Sequence, residues 1–390
     1  MHHLSASLVD VALAAIILFA AERIAIHVEH GATVSTAPEV FSLKNQGLAF
    51  QCAAAHARNV FPIYGSSELR VPPAPERGDN FFRTAPTGFQ LSPIGSGGAN
   101  PLIILQKVGA LGSHLRGKKV AISLSPGWFF SANPGWKGYK GNFSPMAASE
   151  MVFGTSLDFD LKRDIASRML ECPSTLENRP LLEFALRCLA SGNWFDRIVF
   201  CVLWPAGKAQ IALLELRDHL AALHHIQYHA KPAPRLRTET PDWPKLIAQA
   251  NQAKPTDTVK EKKLLNVDRQ ITPGSRDAGF RNGLSASPAW IDLELLLRSL
   301  ATVHARPLIL SMPIAGDFYD HAGVSLSARE DYYAKLRSLV HRYHFAVAEF
   351  EDHDEDPDFL IRHQSHLTAK GWVYYDRALD NFFHGVAPGS

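Results

Sequence analysis

The sequence predicts an α/β fold in which a mostly parallel sheet is covered by helices on both faces. Short apolar runs of strand length recur along the chain, and stretches with helical periodicity separate them. Strands that alternate with helices pair in parallel, and a parallel sheet is buried on both sides. The length of 390 residues allows two domains or one elaborated α/β domain.

The chain opens on an apolar stretch, "LVDVALAAIILFAA" (8–21), closed by Glu22 and Arg23. Val11 to Ala21 falls short of the ~20 residues that span a bilayer. Counting from Leu4, with Asp10 tolerated, gives a marginal span. A signal peptide and an amphipathic first helix compete with an uncleaved anchor, and His2 and His3 substitute weakly for a basic n-region.

The strand-length runs follow: "VFPIYG" (60–65), "KKVAISLS" (118–125), "RIVFCVLW" (197–204), "RPLILSMP" (306–313) and "FAVAEF" (345–350). Helical periodicity marks "PLIILQKVGALGSHL" (101–115) and "AWIDLELLLRSLATVHA" (289–305). The third run, extended to Gly207, is too short to span a membrane. It is expected as a core strand, or as a segment among lipid headgroups with Trp194 and Trp204 as interfacial aromatics. From about 230 to 278 the alternation breaks. That region, rich in Pro, Lys, Thr and Asp, is expected to be an insertion with one short helix near Trp243.

A formal net charge of +2 gives no argument for a nucleic-acid partner. The 18 histidines are scattered without metal-ligand spacing, so no metal or other cofactor is expected. The four cysteines, Cys52, Cys172, Cys188 and Cys201, form no CxxC and are expected to be free thiols.

In an open α/β sheet, ligands bind beyond the carboxyl ends of the strands. The first run ends in Gly65-Ser66-Ser67-Glu68. Read blandly, a serine and an acid cap a helix start. Read functionally, a serine on a sharp turn has helix-terminal N–H groups beside it to stabilise an oxyanion. A base candidate is His366, just ahead of a last helix that Thr368 caps. Trp128, Phe129, Phe130 and Trp136 follow the second run and form either an apolar lip or a loop staple. Arg83 is a candidate for meeting a phosphate.

Seven stretches carry a specific resemblance: "YGSSEL" (64–69), "FQLSPIGSGGANPLIILQ" (89–106), "LRGKKVAISLSPGWF" (115–129), "GNFSP" (141–145), "DLELLL" (292–297), "PLILSMPIAGDFYDHAGVS" (307–325) and "HLTAKGWVYYDRALDNFFHG" (366–385). In this order the chain resembles the DltD family, the D-alanyl transfer proteins of lipoteichoic acid esterification. The resemblance implies a three-layer SGNH-hydrolase-like fold behind an N-terminal membrane helix, with residues 1–32 as anchor and linker and 33–390 as an extracytoplasmic catalytic domain.

It also implies roles. Ser67 is the nucleophile, with Ser66 at the Asp position of the usual Gly-Asp-Ser block and a candidate substrate contact. Gly109 and Asn142 join the Ser67 N–H in the oxyanion hole, and His366 is the base. The substrate contacts extend to Trp128 and Arg83. The family pattern Asp-x-x-His-Leu reads here as "HQSHL", so His363 occupies the Asp position. An acid such as Asp358 replaces the missing carboxylate, or Ser67 and His366 act as a dyad, or activity is lost. The implied partners are an acyl carrier protein, a membrane-bound O-acyltransferase, and an envelope polymer or lipid acceptor. Two alternatives stay open: a thioesterase acting on an acylated carrier protein, and a catalytically impaired scaffold. The scaffold would dock the carrier through a basic face around Lys107, His114, Arg116, Lys118 and Lys119.

Overall fold

The computed structural model describes residues 2–71, 75–253, 271–362 and 366–386. A long helix α1 (His2–Thr36) leads into α2 (Ser42–Gln46) and α3 (Ala49–His56). Strand β1 (Val60–Gly65), α4 (Gly78–Thr84), β2 (Gln90–Gly95), α5 (Pro101–Leu111) and β3 (Lys119–Leu124) come next. Five helices then follow in sequence: α6 (Trp136–Asn142), α7 (Pro145–Phe153), α8 (Phe159–Leu170), α9 (Pro180–Ser191) and α10 (Trp194–His229). After α11 (Trp243–Gln252), α12 (Asp277–Ala286) and α13 (Ala289–Thr302), the chain returns to the sheet as β4 (Arg306–Ser311). Helices α14 (Gly316–His321) and α15 (Leu326–Arg342) precede β5 (Ala346–Glu349). A short hairpin of β6 (Leu360–Arg362) and β7 (His366–Leu367) then leads into the last helix, α16 (Ala369–His384).

The sheet is five-stranded and parallel throughout, in the order β2-β1-β3-β4-β5. Successive side chains of a strand point to opposite faces, and the core divides accordingly. Tyr64, Val120, Ile122, Leu124 and Ile309 pack under α5, α7, α13 and α15. Phe61, Ile63, Ala121, Leu308 and Leu310 pack under α4, the β6–β7 hairpin and α16. Three layers result, and the expected α/β class holds.

Four of the five expected strands form, and the third run does not. Residues 197–204 belong to α10, a 36-residue helix. Phe200, Gly207 and Ile211 are buried along one side, while Trp194 and Val202 are 74% and 73% exposed on another. An apolar run with one packed and one bare helical face reads like a buried strand when its period is hidden. Within α10 this run is no longer short: among the described residues, α10 is the helix long and apolar enough to cross a membrane. The strand missed by periodicity is β2, whose Gln90, Ser92 and Pro93 conceal it. β2 is an edge strand, where proline is tolerated.

Helix α1 joins the body from Ala25 onward, where Glu29 pairs with His219 of α10 at 2.7 Å. Ahead of that point Ile16, Ile17, Leu18 and Phe19 are exposed. The short helix expected near Trp243 is α11, and the Trp243 indole donates to Asp380 of α16 at 2.9 Å.

The loop after β3 is a staple rather than a lip at Phe129. That ring is fully buried against Trp290 and Tyr332. Phe129→Ala is expected to cost about 3–5 kcal/mol, since it leaves a cavity under the loop. Chemical denaturation of the purified chain measures this.

Candidate active site

The strand order reverses direction between β1 and its neighbours β2 and β3, which opens a crevice at their carboxyl ends. Ser67 stands there, on a single 3₁₀ turn (Ser67–Leu69) directly after β1. The capping box does not form, because the Ser66 side chain makes no cap bond. Instead the Ser66 hydroxyl reaches the Ser96 carbonyl at 3.4 Å, and the Ser66 N–H is donated to the Glu68 carboxyl at 2.8 Å. Ser66 is 4% exposed and ties the β1 turn to the β2 loop.

His366 reaches the same point from the other end of the chain. Its Nε2 lies 2.9 Å from Ser67 Oγ, across 299 positions of sequence. Thr368 fixes the approach: its hydroxyl caps α16 through the Gly371 N–H and donates to the Asp358 and Phe359 carbonyls. Lys370 adds an ion pair to Asp356 at 2.7 Å. The link shown between Asp358 and this segment is thus its main chain. His363 lies outside the described residues.

Asn142 ends α6 beside the crevice, 6% exposed. Its amide donates to the Gly97 and Gly138 carbonyls at 3.0 and 2.9 Å, clamping the β2 loop to α6. Gly98 has φ +80°, and a Cβ there would stand 3.3 Å from the Gly138 Cα. A Cβ on Gly97 would come 3.9 Å from the Ser67 Cβ. The glycine beside the serine is therefore Gly97, in the loop "GSGG" (95–98), a signature that sequence reasoning passed over.

Gly109 is not among them. It lies eight residues into α5, about 12 Å from the start of that helix. A Cβ there would stand 2.7 Å from Met151 Cγ, so its glycine serves helix packing. Arg83 is also elsewhere. It ends α4 next to Phe82, whose carbonyl takes the Gln90 amide at the first residue of β2. This is the amino edge of the sheet, about 17 Å from the edge that carries Ser67. Trp128 sits on the turn after β3, half-buried, with its carbonyl taken by Ser287.

The basic docking face holds only in part: His114 and Arg116 are exposed, while Lys107 and Lys119 are engaged by the fold. Lys107 is buried, with its ammonium 3.3 Å from Asn45 Oδ1, and burial lowers it to about 8. Lys119 donates to the Phe382 and Phe383 carbonyls and closes the end of α16. Cys172 and Cys188 are both buried free thiols.

Two substitutions separate the crevice from its surroundings. Asn142→Ala frees the loop beside Ser67 and is expected to lower kcat for a nitrophenyl ester about 10²-fold, the scale of one lost oxyanion-hole group. Arg83→Ala, at the far edge, is expected to leave it unchanged. Steady-state hydrolysis of the ester checks both.

A family model described as DltD protein matches residues 37–384. Protein DltD of Bacillus subtilis (strain 168) is 27% identical over 352 residues, which cover 87% of this chain and 86% of that one. Protein DltD of Staphylococcus aureus is 26% identical over 353 residues, 87% of this chain and 85% of its own. Protein DltD of Lacticaseibacillus rhamnosus is 23% identical over 342 residues, 84% and 78% respectively. The match runs from the end of the first helix through the last helix and includes both Ser67 and His366: the chain belongs to the DltD family.

Proposed function

We propose that the chain is a serine acyltransferase that moves a D-alanyl or related acyl group onto a hydroxyl of a cell-envelope polymer or lipid. The observation that carries this reading is the 2.9 Å approach of His366 Nε2 to Ser67 Oγ at the carboxyl edge of the sheet. Membership of the DltD family supports the choice of acyl group and acceptor class.

The chemistry is a two-step exchange through an acyl-enzyme. Ser67 Oγ attacks the acyl carbonyl carbon as its proton passes to His366 Nε2. The oxyanion that forms is met by the Ser67 N–H and by the Gly97–Gly98 loop that Asn142 holds. The bond to the donor oxygen or sulfur breaks, and His366 returns the proton to that leaving atom. In the second step an acceptor hydroxyl attacks the ester carbon and gives its proton to His366. The Ser67–acyl bond then breaks, and the proton returns to Ser67. Water in place of the acceptor makes the same site a thioesterase or esterase.

The third member of a triad is assigned to the loop 352–358, whose Asp358 carbonyl accepts from the Thr368 hydroxyl two residues after His366. A carboxylate there would orient the imidazole and stabilise its protonated form. We assign residues 1–32 to an N-terminal anchor and linker, the anchor being the part ahead of Ala25, which leaves the catalytic part outside the cytoplasm, on the strength of the bare apolar side chains between Leu13 and Ile24. An acyl carrier protein and a membrane-bound O-acyltransferase are the proposed partners on the donor side.

The test is a D-alanyl thioester of pantetheine, incubated with the full chain and followed by intact mass. The expected result is a gain of one alanyl group that maps to Ser67 and is discharged by a glycerol-phosphate polymer. If Ser67 reacts with an organophosphorus probe yet takes no alanyl group from the thioester, this acyl donor class is wrong. Discharge at the same rate with and without polymer would identify the thioesterase instead.

A further inference from the structure

Glu68 follows the nucleophile directly, and the reaction above makes no use of it. The side chain is 1% exposed. Its Oε1 accepts the Ser66 N–H at 2.8 Å. It is therefore folded back behind its own turn. Gly65 makes the room, since a Cβ there would stand 2.2 Å from Glu68 Oε1.

The carboxyl faces Ser123 of β3, and that hydroxyl in turn faces Tyr375 of α16. Among the described residues, Glu68 Oε2, Ser123 Oγ and Tyr375 Oη make no hydrogen bond of ordinary geometry, although all three are sealed from solvent. A carboxyl, a hydroxyl and a phenol meet in a closed space behind Ser67. Such under-satisfied buried groups are rare and mark places where strain or function is kept.

We propose that Glu68 is the positioning residue of the nucleophile turn: its carboxyl holds the Ser66 N–H inward and so fixes the turn that leaves the Ser67 N–H for the oxyanion. Three consecutive N–H groups are presented by residues 66 to 68. With the Ser66 N–H bound inward, the Ser67 N–H is the donor at the surface of the turn. This inference rests on Ser67 being the nucleophile.

The placement has a consequence for pH. Burial raises the Glu68 carboxyl to about 7, against the pull of the Ser66 N–H and of Ser123. Below that pH the group is neutral. Above it, a negative charge stands beside the place where the oxyanion forms, and like charges weaken the stabilisation of that state. Ser66 faces it from the turn, Ser123 from β3 and Tyr375 from α16, and burial keeps the Tyr375 phenol neutral. His366, bonded to Ser67, must be neutral to act as a base, which sets the acid limb. The rate therefore rises and then falls, with two macroscopic pKa values.

The test is the rate at which a fluorophosphonate labels Ser67 in the full chain, from mildly acid to mildly alkaline pH. Wild type is expected to give the bell. Glu68→Gln keeps the acceptor oxygen and cannot ionise, so it keeps the acid limb and loses the alkaline one. Glu68→Ala lacks the acceptor and labels about 10²-fold more slowly at the optimum. Ser123→Ala, away from the turn, moves the alkaline limb to higher pH, because that hydroxyl favours the ionised carboxyl. It serves as the readout if the Glu68 variants do not fold. A wild type with no alkaline limb, a limb that persists in Glu68→Gln, or one unmoved in Ser123→Ala overturns the inference and leaves the nucleophile intact. Absence of label at every pH in wild type overturns instead the reading on which it rests.

Discussion

One hydrogen bond, between Ser67 and His366, closes the chain on itself and gives the rest of the architecture its purpose. The two residues come from opposite ends of the folded part, so each must be brought to the same few ångströms by its own scaffold. For Ser67 the scaffold is a fully buried strand beside the point where the sheet reverses its winding. For His366 it is a two-residue strand locked between the β6 partner and the Thr368 cap of α16. Neither scaffold works without the other, because α16 covers the face of the sheet from which β1 sends Phe61 and Ile63.

The turn after β1 shows how far a local motif reaches. Gly65, Ser66, Ser67 and Glu68 look like a helix cap in the sequence, and the acid does satisfy a backbone donor there, the Ser66 N–H. It does so from behind the turn rather than across a helical end. Its space is closed by Ser123 and Tyr375 from two other elements. A capping box needs only local geometry; this arrangement needs the assembled three-layer fold.

Much of the fold was legible because strands β1, β3 and β4 are buried on both faces and read as apolar runs, and the half-buried edge strand β5 lies within the short apolar run 345–350. The helices α5, α13 and α16 were legible from their period, and the last from its Thr368 cap as well. β2 was hidden by Gln90, Ser92 and Pro93, and residues 197–204 by a helix apolar on both its packed and its bare side. In the crevice, Ser67 and His366 could be named because the turn and the pre-helical histidine each have a recognisable local context. Gly109 and Arg83 could not be sorted from Gly97 and Gly98, since closeness in space depends on which end of a helix faces the site. That is set by the strand order, and no local pattern encodes it.

The central claim is that Ser67 is an activated nucleophile that depends on His366. Its most direct measurement is peptide mapping by mass spectrometry after the full chain meets a fluorophosphonate, run for wild type, Ser67→Ala and His366→Ala. The account predicts a single adduct on Ser67 in wild type, none in Ser67→Ala, and labelling slowed by orders of magnitude in His366→Ala. An adduct on another residue, or Ser67 labelled equally fast without His366, would contradict it.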